Sequence, residues 1–289
     1  MAECPGTKKV ETVNTFRVHS SLKDNLKSQN KLAEVRMYKN FSLALVGMMT
    51  ILTLATSAVA APVVLFDESH AQQFLIGKDG PLDLSALAAA YREHGFQVKS
   101  FAGPLNGAEL SSVDVLILSG PFRPLNQDEV QAVLDFVNNG GGLAVMLHIP
   151  QPTLNLLRQL DVDVANGTLH EDAAAIGGNP LYFKVSKLAV HPLTEGLESF
   201  SLYGSWALRG VADHVTTVAE TSQHGWVDLD HDNKFSKADA MQPFGVVVAG
   251  QLGQGRYVVF GDDALFQNRF FDEFNRRLAI NLVNWLGQR

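Results

Sequence analysis

The chain has 289 residues, 46% of them hydrophobic and 18% charged, a composition that excludes a disordered, collagen-like or coiled-coil protein and suffices for a sizeable core. Its net charge of -7 is unevenly spread: residues 1–60 carry 8 basic and 4 acidic side chains, and the other 229 carry 15 and 26. A body that acidic repels phosphate backbones, so no nucleic-acid partner is expected.

In chain order, residues 1–36 read as a polar, aperiodic extension, expected to be dispensable or untranslated, with translation starting at Met37. Residues 37–60 read as a signal peptide. Met37-Tyr38-Lys39-Asn40 makes a short basic start, 41–61 is uncharged, and Ala58-Val59-Ala60 is an A-x-A cleavage site. The basic flank on the N-terminal side predicts a body outside the cytoplasm, periplasmic or secreted. If the segment stays attached, the chain is anchored in the inner membrane and faces the periplasm. The single cysteine is Cys4, so a cleaved chain has no disulfide, thiolate site or cysteine nucleophile.

From residue 61 onward, short apolar runs alternate with amphipathic stretches. Strands are expected at 62–66, 97–101, 113–118 and 143–149, with helices at 82–94 and 126–138 between them. This βαββαβ order predicts an α/β fold, an open and mostly parallel doubly wound sheet. A β-rich insertion is expected at about 161–224, with strands at 182–185, 201–203 and 215–220. A hairpin of 244–249 and 256–260 turns through Gly250–Gly255, and a closing helix spans 275–286. The expectation is a single domain over 61–289.

The opening VVLFDESH, the unit LSALAAAYREHGFQV, the strand end VDVLILSGP and the late run GQGRYVVFGDDALFQNRF with NRRLAINLVNWL are similar to segments of a bacterial family of unknown function. That family has a class I glutamine-amidotransferase-like fold, shared by auxiliary domains of gliding-type transport systems. The resemblance spans about 62–286 and implies the fold alone. The amidotransferases use a cysteine in a tight strand-to-helix turn, whereas the run here is Leu143–His148 followed by Ile149-Pro150-Gln151. No G-x-S-x-G elbow replaces it. Amidotransferase activity is therefore not implied.

Two constellations could carry chemistry. The run Asp228-Leu229-Asp230-His231-Asp232-Asn233-Lys234-Phe235-Ser236-Lys237-Ala238-Asp239 places oxygen ligands in the order of a Ca²⁺ loop. Asp228, Asp230, Asp232, Ser236 and Asp239 supply side chains, and Lys234 its carbonyl. Asn233 stands where such loops have Gly, and Asp239 where they have Glu. The plain alternative is an acidic turn tip.

The second constellation is the C-terminal edge of the sheet, where open α/β folds place ligands. Asp67, Glu68 and His70 follow the first strand; Gly120 and Arg123 follow the third. His148 ends the fourth, and Asp262 and Asp263 follow the last. If these ends meet, they could act in acid–base chemistry or hydrogen-bond a polyol. Tyr203, Trp206 and Trp226 could add an aromatic sugar-binding face.

The expectation is an exported, non-catalytic domain that binds a small polar ligand or an envelope protein partner, stabilised by Ca²⁺ and using no other cofactor. One alternative is a hydrolase of a sugar or ester working through Asp67, His70 and Asp262. Another is a membrane-anchored accessory subunit of a transport system.

Overall fold

Continuous apolar runs become the central strands because both of their faces are covered. The computed structural model describes residues 26–37, 39–40 and 60–288. These fall into two units, Met1–Ala60 and Ala61–Arg289. In the first unit, residues 26–37 and 39–40 are helical and exposed, an element that the aperiodic polar reading did not foresee. The expected signal core at 41–59 lies outside the described residues. Among the described residues, no helix is long and apolar enough to cross a membrane.

In the second unit, β1 (Val63–Asp67), β2 (Gln97–Phe101), β3 (Val115–Ser119), β4 (Gly142–Met146) and β15 (Gly255–Phe260) form a parallel core in the order β2-β1-β3-β4-β15. Every residue of β3 and β4 is buried. Helices cover both faces. On one, α1 (Ser85–Glu93) and the closing helix α5 (Glu273–Leu286) bury Leu87, Tyr91, Leu278 and Leu282 against Val64, Ile117 and Ala144. On the other, α2 (Gly107–Leu110), α3 (Gln127–Asn138) and α4 (Leu154–Gln159) bury Leu110, Val133 and Leu157 against Leu65, Leu116 and Val145. The α/β, doubly wound architecture expected from the sequence is therefore present. Helix α3 starts on a reciprocal cap: Asn126 accepts from the Glu129 amide, and Glu129 accepts from the Asn126 amide.

The sheet continues past β15 through antiparallel strands. β14 (Gly245–Leu252) pairs with β15, then with both β10 (Ser205–Gly210) and β11 (Val215–Glu220). β5 (Val162–Glu171), β12 (Gly225–Val227) and β13 (Ala240–Met241) extend one branch, and β8 (Lys187–Leu188) the other. A separate three-stranded sheet, β6 (Ala175–Ile176), β7 (Asn179–Val185) and β9 (Phe200–Tyr203), packs on the α1/α5 face.

Three expectations are refined. The β-rich part runs on beyond 224 to Met241, and most of it joins the main sheet instead of standing apart. β14 continues to Leu252, so the turn is Gly253-Gln254, with Gly253 at φ +59. The ten-residue β5, VDVANGTLHE, was not expected at all. Its Asn-Gly pair and exposed polar residues depress strand propensity. Gly167 is needed there, because a Cβ would lie 2.0 Å from the Asp228 carbonyl oxygen.

Candidate functional site at the strand edge

Because β1, β3, β4 and β15 are parallel, the loops that follow them gather at one edge. Two side-chain clusters form there. In the first, Asp263, three residues past β15, meets His148, two residues past β4: His148 Nδ1 lies 3.1 Å from Asp263 Oδ1. The Asp263 side chain is 2% exposed and that of His148 38% exposed. The buried carboxylate thus fixes the ring through Nδ1 and leaves Nε2 as the outward atom, the usual division of labour in carboxylate–histidine pairs. The hydrogen bond that His148 donates to Asp263 holds the His148 pKa above its ordinary value. Phe74 and Phe122 flank the imidazole, with ring centroids 5.3 and 5.1 Å away. Trp206 Nε1 donates to the His148 carbonyl.

Gly120, at φ +53, lies against the second Asp263 oxygen, since a Cβ would come within 2.3 Å of Oδ2. Among the described residues, that buried Oδ2 has no hydrogen-bond partner, and the same holds for Ser119 Oγ at the end of β3.

The second cluster is wholly buried. Asp67 accepts from the Ser69 amide, Ser69 Oγ, His70 Nδ1 at 2.7 Å and Gln72 Nε2. On the other side of the ring, His70 Nε2 lies 3.3 Å from Glu129 Oε2. Glu129 also accepts from the amides of Leu105 and Asn126. With a carboxylate at each nitrogen, the doubly protonated imidazolium is the form of His70 that donates at both. Burial opposes that charge, but the bonds to Asp67 and Glu129 outweigh it and raise the His70 pKa. Burial also pushes Asp67 and Glu129 up. Hydrogen bonds from His70 and Ser69 to Asp67, and from the Asn126 amide and His70 to Glu129, more than offset this and hold both low. Glu129 was not among the residues expected at the site. Its capping motif, Asn126-x-x-Glu129, is visible in the sequence, but its contact with a histidine 59 positions away is not.

The proposed catalytic trio does not assemble as one group. Asp67 and His70 pair with each other, whereas the Asp262 carboxylate accepts from the amides of Tyr203 and Ala264. Asp262 is buried, and burial together with the charge of Asp263 pushes its pKa up to about 7. Glu68 accepts from the Ile76 amide, and Arg123 donates to the Ser69 carbonyl. Both therefore support loops. The three aromatics also part company. Tyr203 stacks on Phe270, Trp226 on His170, and only Trp206 reaches His148.

Open grooves lie elsewhere. One of about 570 Å³ runs between α2 and α3 past Leu110, Ala132 and Phe136. One of about 600 Å³ lies in the fork where β10 and β11 both leave β14.

The acidic loop brings Asp228, Asp230 and Asp232 together, with carboxylate oxygens within 4.8 Å of one another. Its carboxylates already hold the loop. Asp228 accepts from the amides of Asp232 and Asn233, and Asp239 from those of Leu229 and Ser236. Ser236 Oγ reaches Asp230, and Lys234 donates its amide to Asp232. His231 and Asn233 adopt φ of 62° and 59°, the conformation that the expected Gly position requires. Burial and the neighbouring charges of Asp232 and Asp239 raise the Asp230 pKa. Removing that charge relieves like-charge repulsion, so Asp230→Asn is expected to raise the melting temperature slightly in EDTA. If millimolar Ca²⁺ stabilises the wild type, this variant loses that gain. A lower melting temperature in EDTA would mean that the Asp230 carboxylate supports the loop itself.

An α/β domain with a carboxylate-oriented imidazole at its strand edge is thus the class that fold and site define. Residues 78–283 match the family described as Domain of unknown function (DUF4350), and the chain belongs to that family. No protein of curated function matches it. Among solved structures, the chain is similar to the mmIFT52 N-terminal domain, at 16% identity and TM-score 0.63 over 78% of this chain and 98% of that one. It is also similar to cytoplasmic protein STM1381 from Salmonella typhimurium LT2, at 16% identity and TM-score 0.53 over 78% and 100%. A thua-like protein from Bacteroides uniformis ATCC 8492 gives 14% identity and TM-score 0.49 over 80% and 94%. The first two likenesses establish a shared fold and nothing of function.

Proposed function

We propose that this protein is an exported, non-catalytic binding module that takes a small polar ligand in the crevice around His148. One observation carries the reading. A half-exposed imidazole, oriented by a buried carboxylate and walled by Phe74 and Phe122, stands where open α/β sheets bind ligands. The outward Nε2 offers a hydrogen bond to a hydroxyl, carboxylate or phosphate oxygen, and the rings offer apolar cover. The non-catalytic part rests on the engaged state of Asp67, His70 and Asp262 and on a chain without cysteine after Cys4. Export rests on the uncharged 41–61 segment and Ala58-Val59-Ala60, and a mature N-terminus at Ala61 is the expected result of sequencing the purified protein.

The binding test is a thermal-shift screen of the full chain against monosaccharides, sugar acids, nucleotides and amino acids at millimolar concentration. At about 100 times its Kd, a ligand adds about 2.7 kcal/mol of stability. At least one compound is expected to raise the melting temperature of the wild type and to lose that effect in His148→Ala. The substitution itself is expected to cost about 1–3 kcal/mol, because it leaves the buried Asp263 carboxylate without the imidazole. A shift that survives in His148→Ala, or no shift with any class, would sink the proposal.

A further inference from the structure

The two rings beside His148 sit on different loops, and both loops are tied to one residue. Phe74 lies on the 68–76 loop after β1, and Phe122 on the 120–124 loop after β3. The carbonyl of His70 accepts from the amides of both Phe122 and Arg123, at 2.9 and 3.0 Å. Within its own loop, the His70 amide donates to Gln72 Oε1, and Gln72 donates to Asp67. Arg123 returns from the second loop to the Ser69 carbonyl. The ring of His70 joins both loops to the first turn of α3 through Glu129. The charged and titratable groups around it are Asp67 from β1, Glu129 from α3 and Arg123 from the 120–124 loop. Together with the imidazolium they sum to zero.

We propose that His70 is a positioning residue, the latch of the His148 crevice: doubly protonated, it holds the two loops together, and once it gives up a proton to solvent the walls carrying Phe74 and Phe122 part. A neutral ring turns a lone pair toward one of two acceptor-only carboxylates. The longer contact, 3.3 Å to Glu129 against 2.7 Å to Asp67, marks Nε2 as the nitrogen that loses its proton. Glu129 is then left facing an acceptor in a buried place, and the junction with α3 loosens first. The His70 pKa is raised in the folded protein. The latch is therefore fully closed below about pH 6.5 and opens as pH climbs through the higher folded value. The inference rests on the proposed function only in treating the walls as those of a binding site.

The test is amide hydrogen exchange of the full chain, with protection of Phe122 and Arg123 corrected for intrinsic rates at each pH. Protection is expected to fall at least about tenfold in a single step above pH 6.5, coinciding with the titration of His70 seen by NMR, while Ile117 in β3 stays protected. Glu129→Gln keeps an oxygen to accept from the Asn126 amide but removes the charge, and should move the step down by about one pH unit. His70→Gln should abolish the step. A purely structural role would lower protection in these variants without moving the midpoint. Flat protection in the wild type, a step that misses the His70 titration by more than about one unit, or an unmoved step in Glu129→Gln overturns the latch. If a variant does not fold, the wild-type coincidence alone decides. No readout uses a ligand. A step without any compound binding at His148 defeats the binding proposal alone, and ligand binding without a step defeats the latch alone.

Discussion

Replacing Asn275 with Leu is expected to cost about 3–5 kcal/mol, one of the two largest effects anticipated for this protein. Asn275 lies in the first turn of α5 and is fully buried. Its Oδ1 accepts from the Ser201 amide, and its Nδ2 donates to the carbonyls of Ser201, Leu265 and Phe270. One side chain therefore satisfies backbone groups from β9, from the turn after β15 and from the loop before α5. Leucine fills nearly the same volume but withdraws a partner from each of those groups in a place remote from water; the Phe270 carbonyl keeps the Asp272 amide, and each group left unsatisfied costs about 1–3 kcal/mol. For a domain of this size the melting temperature should fall by about 10 °C. Asn275→Asp retains the acceptor, loses both donors and sets a carboxylate among three carbonyls, so it should be no better tolerated. Chemical denaturation of the two variants checks this. A loss under about 1 kcal/mol for Asn275→Leu would mean that solvent reaches these groups.

Asn275 also marks where sequence reasoning reaches its limit. The closing helix is legible because Leu278, Leu282 and Trp285 recur at helical spacing, and all three are buried. Nothing in that periodicity shows that an asparagine at the helix start bonds residues 74 positions away. The same contrast holds throughout. β1, β3, β4 and β15 are each built on a run of four or more apolar residues, and their expected ends fall within three residues of those found. β5 and β10 mix polar and apolar residues because each is only partly covered, so local pattern does not reveal them. At the site, the parallel-sheet expectation brings the loops to one edge, and Gly120, His148 and Asp263 do meet there. The division of the acids into two clusters follows from which face of the strand each side chain leaves. Asp67 points with Leu65 toward the α3 side, where Glu129 waits. Phe74 and Phe122 come to His148 through loop geometry alone, which no short motif encodes.

The remaining large effect is a fall in stability as pH rises from about 4 to about 7, and it belongs to Asp262. Burial and the neighbouring Asp263 charge raise its pKa from 3.8 to about 7 in the folded chain. Between those values the folded state holds a proton that the unfolded state has lost. Stability therefore declines with pH across this window and levels off above it. A displacement of about three units corresponds to about 4 kcal/mol, an upper bound on what the melts should show. His70 and His148 act in the same sense at higher pH, since raised histidines lose their contribution as pH climbs through the folded values. His170 and His191 oppose it. Burial lowers both, so each favours the fold more as pH rises to about 6.5. Asp67 and Glu129, held low, set the acid limit, because their contribution is lost as they take up protons below about pH 4. The chain should thus be most stable in mildly acidic solution. Asp262→Asn isolates the main cause. It keeps an oxygen for one of the two amides from Tyr203 and Ala264 and loses the other bond, so the variant starts lower at pH 5. Its stability should then stay nearly flat to pH 7, and the wild-type and variant curves should converge or cross near neutrality. Parallel curves across the whole range would show that Asp262 keeps an ordinary acidity inside the fold.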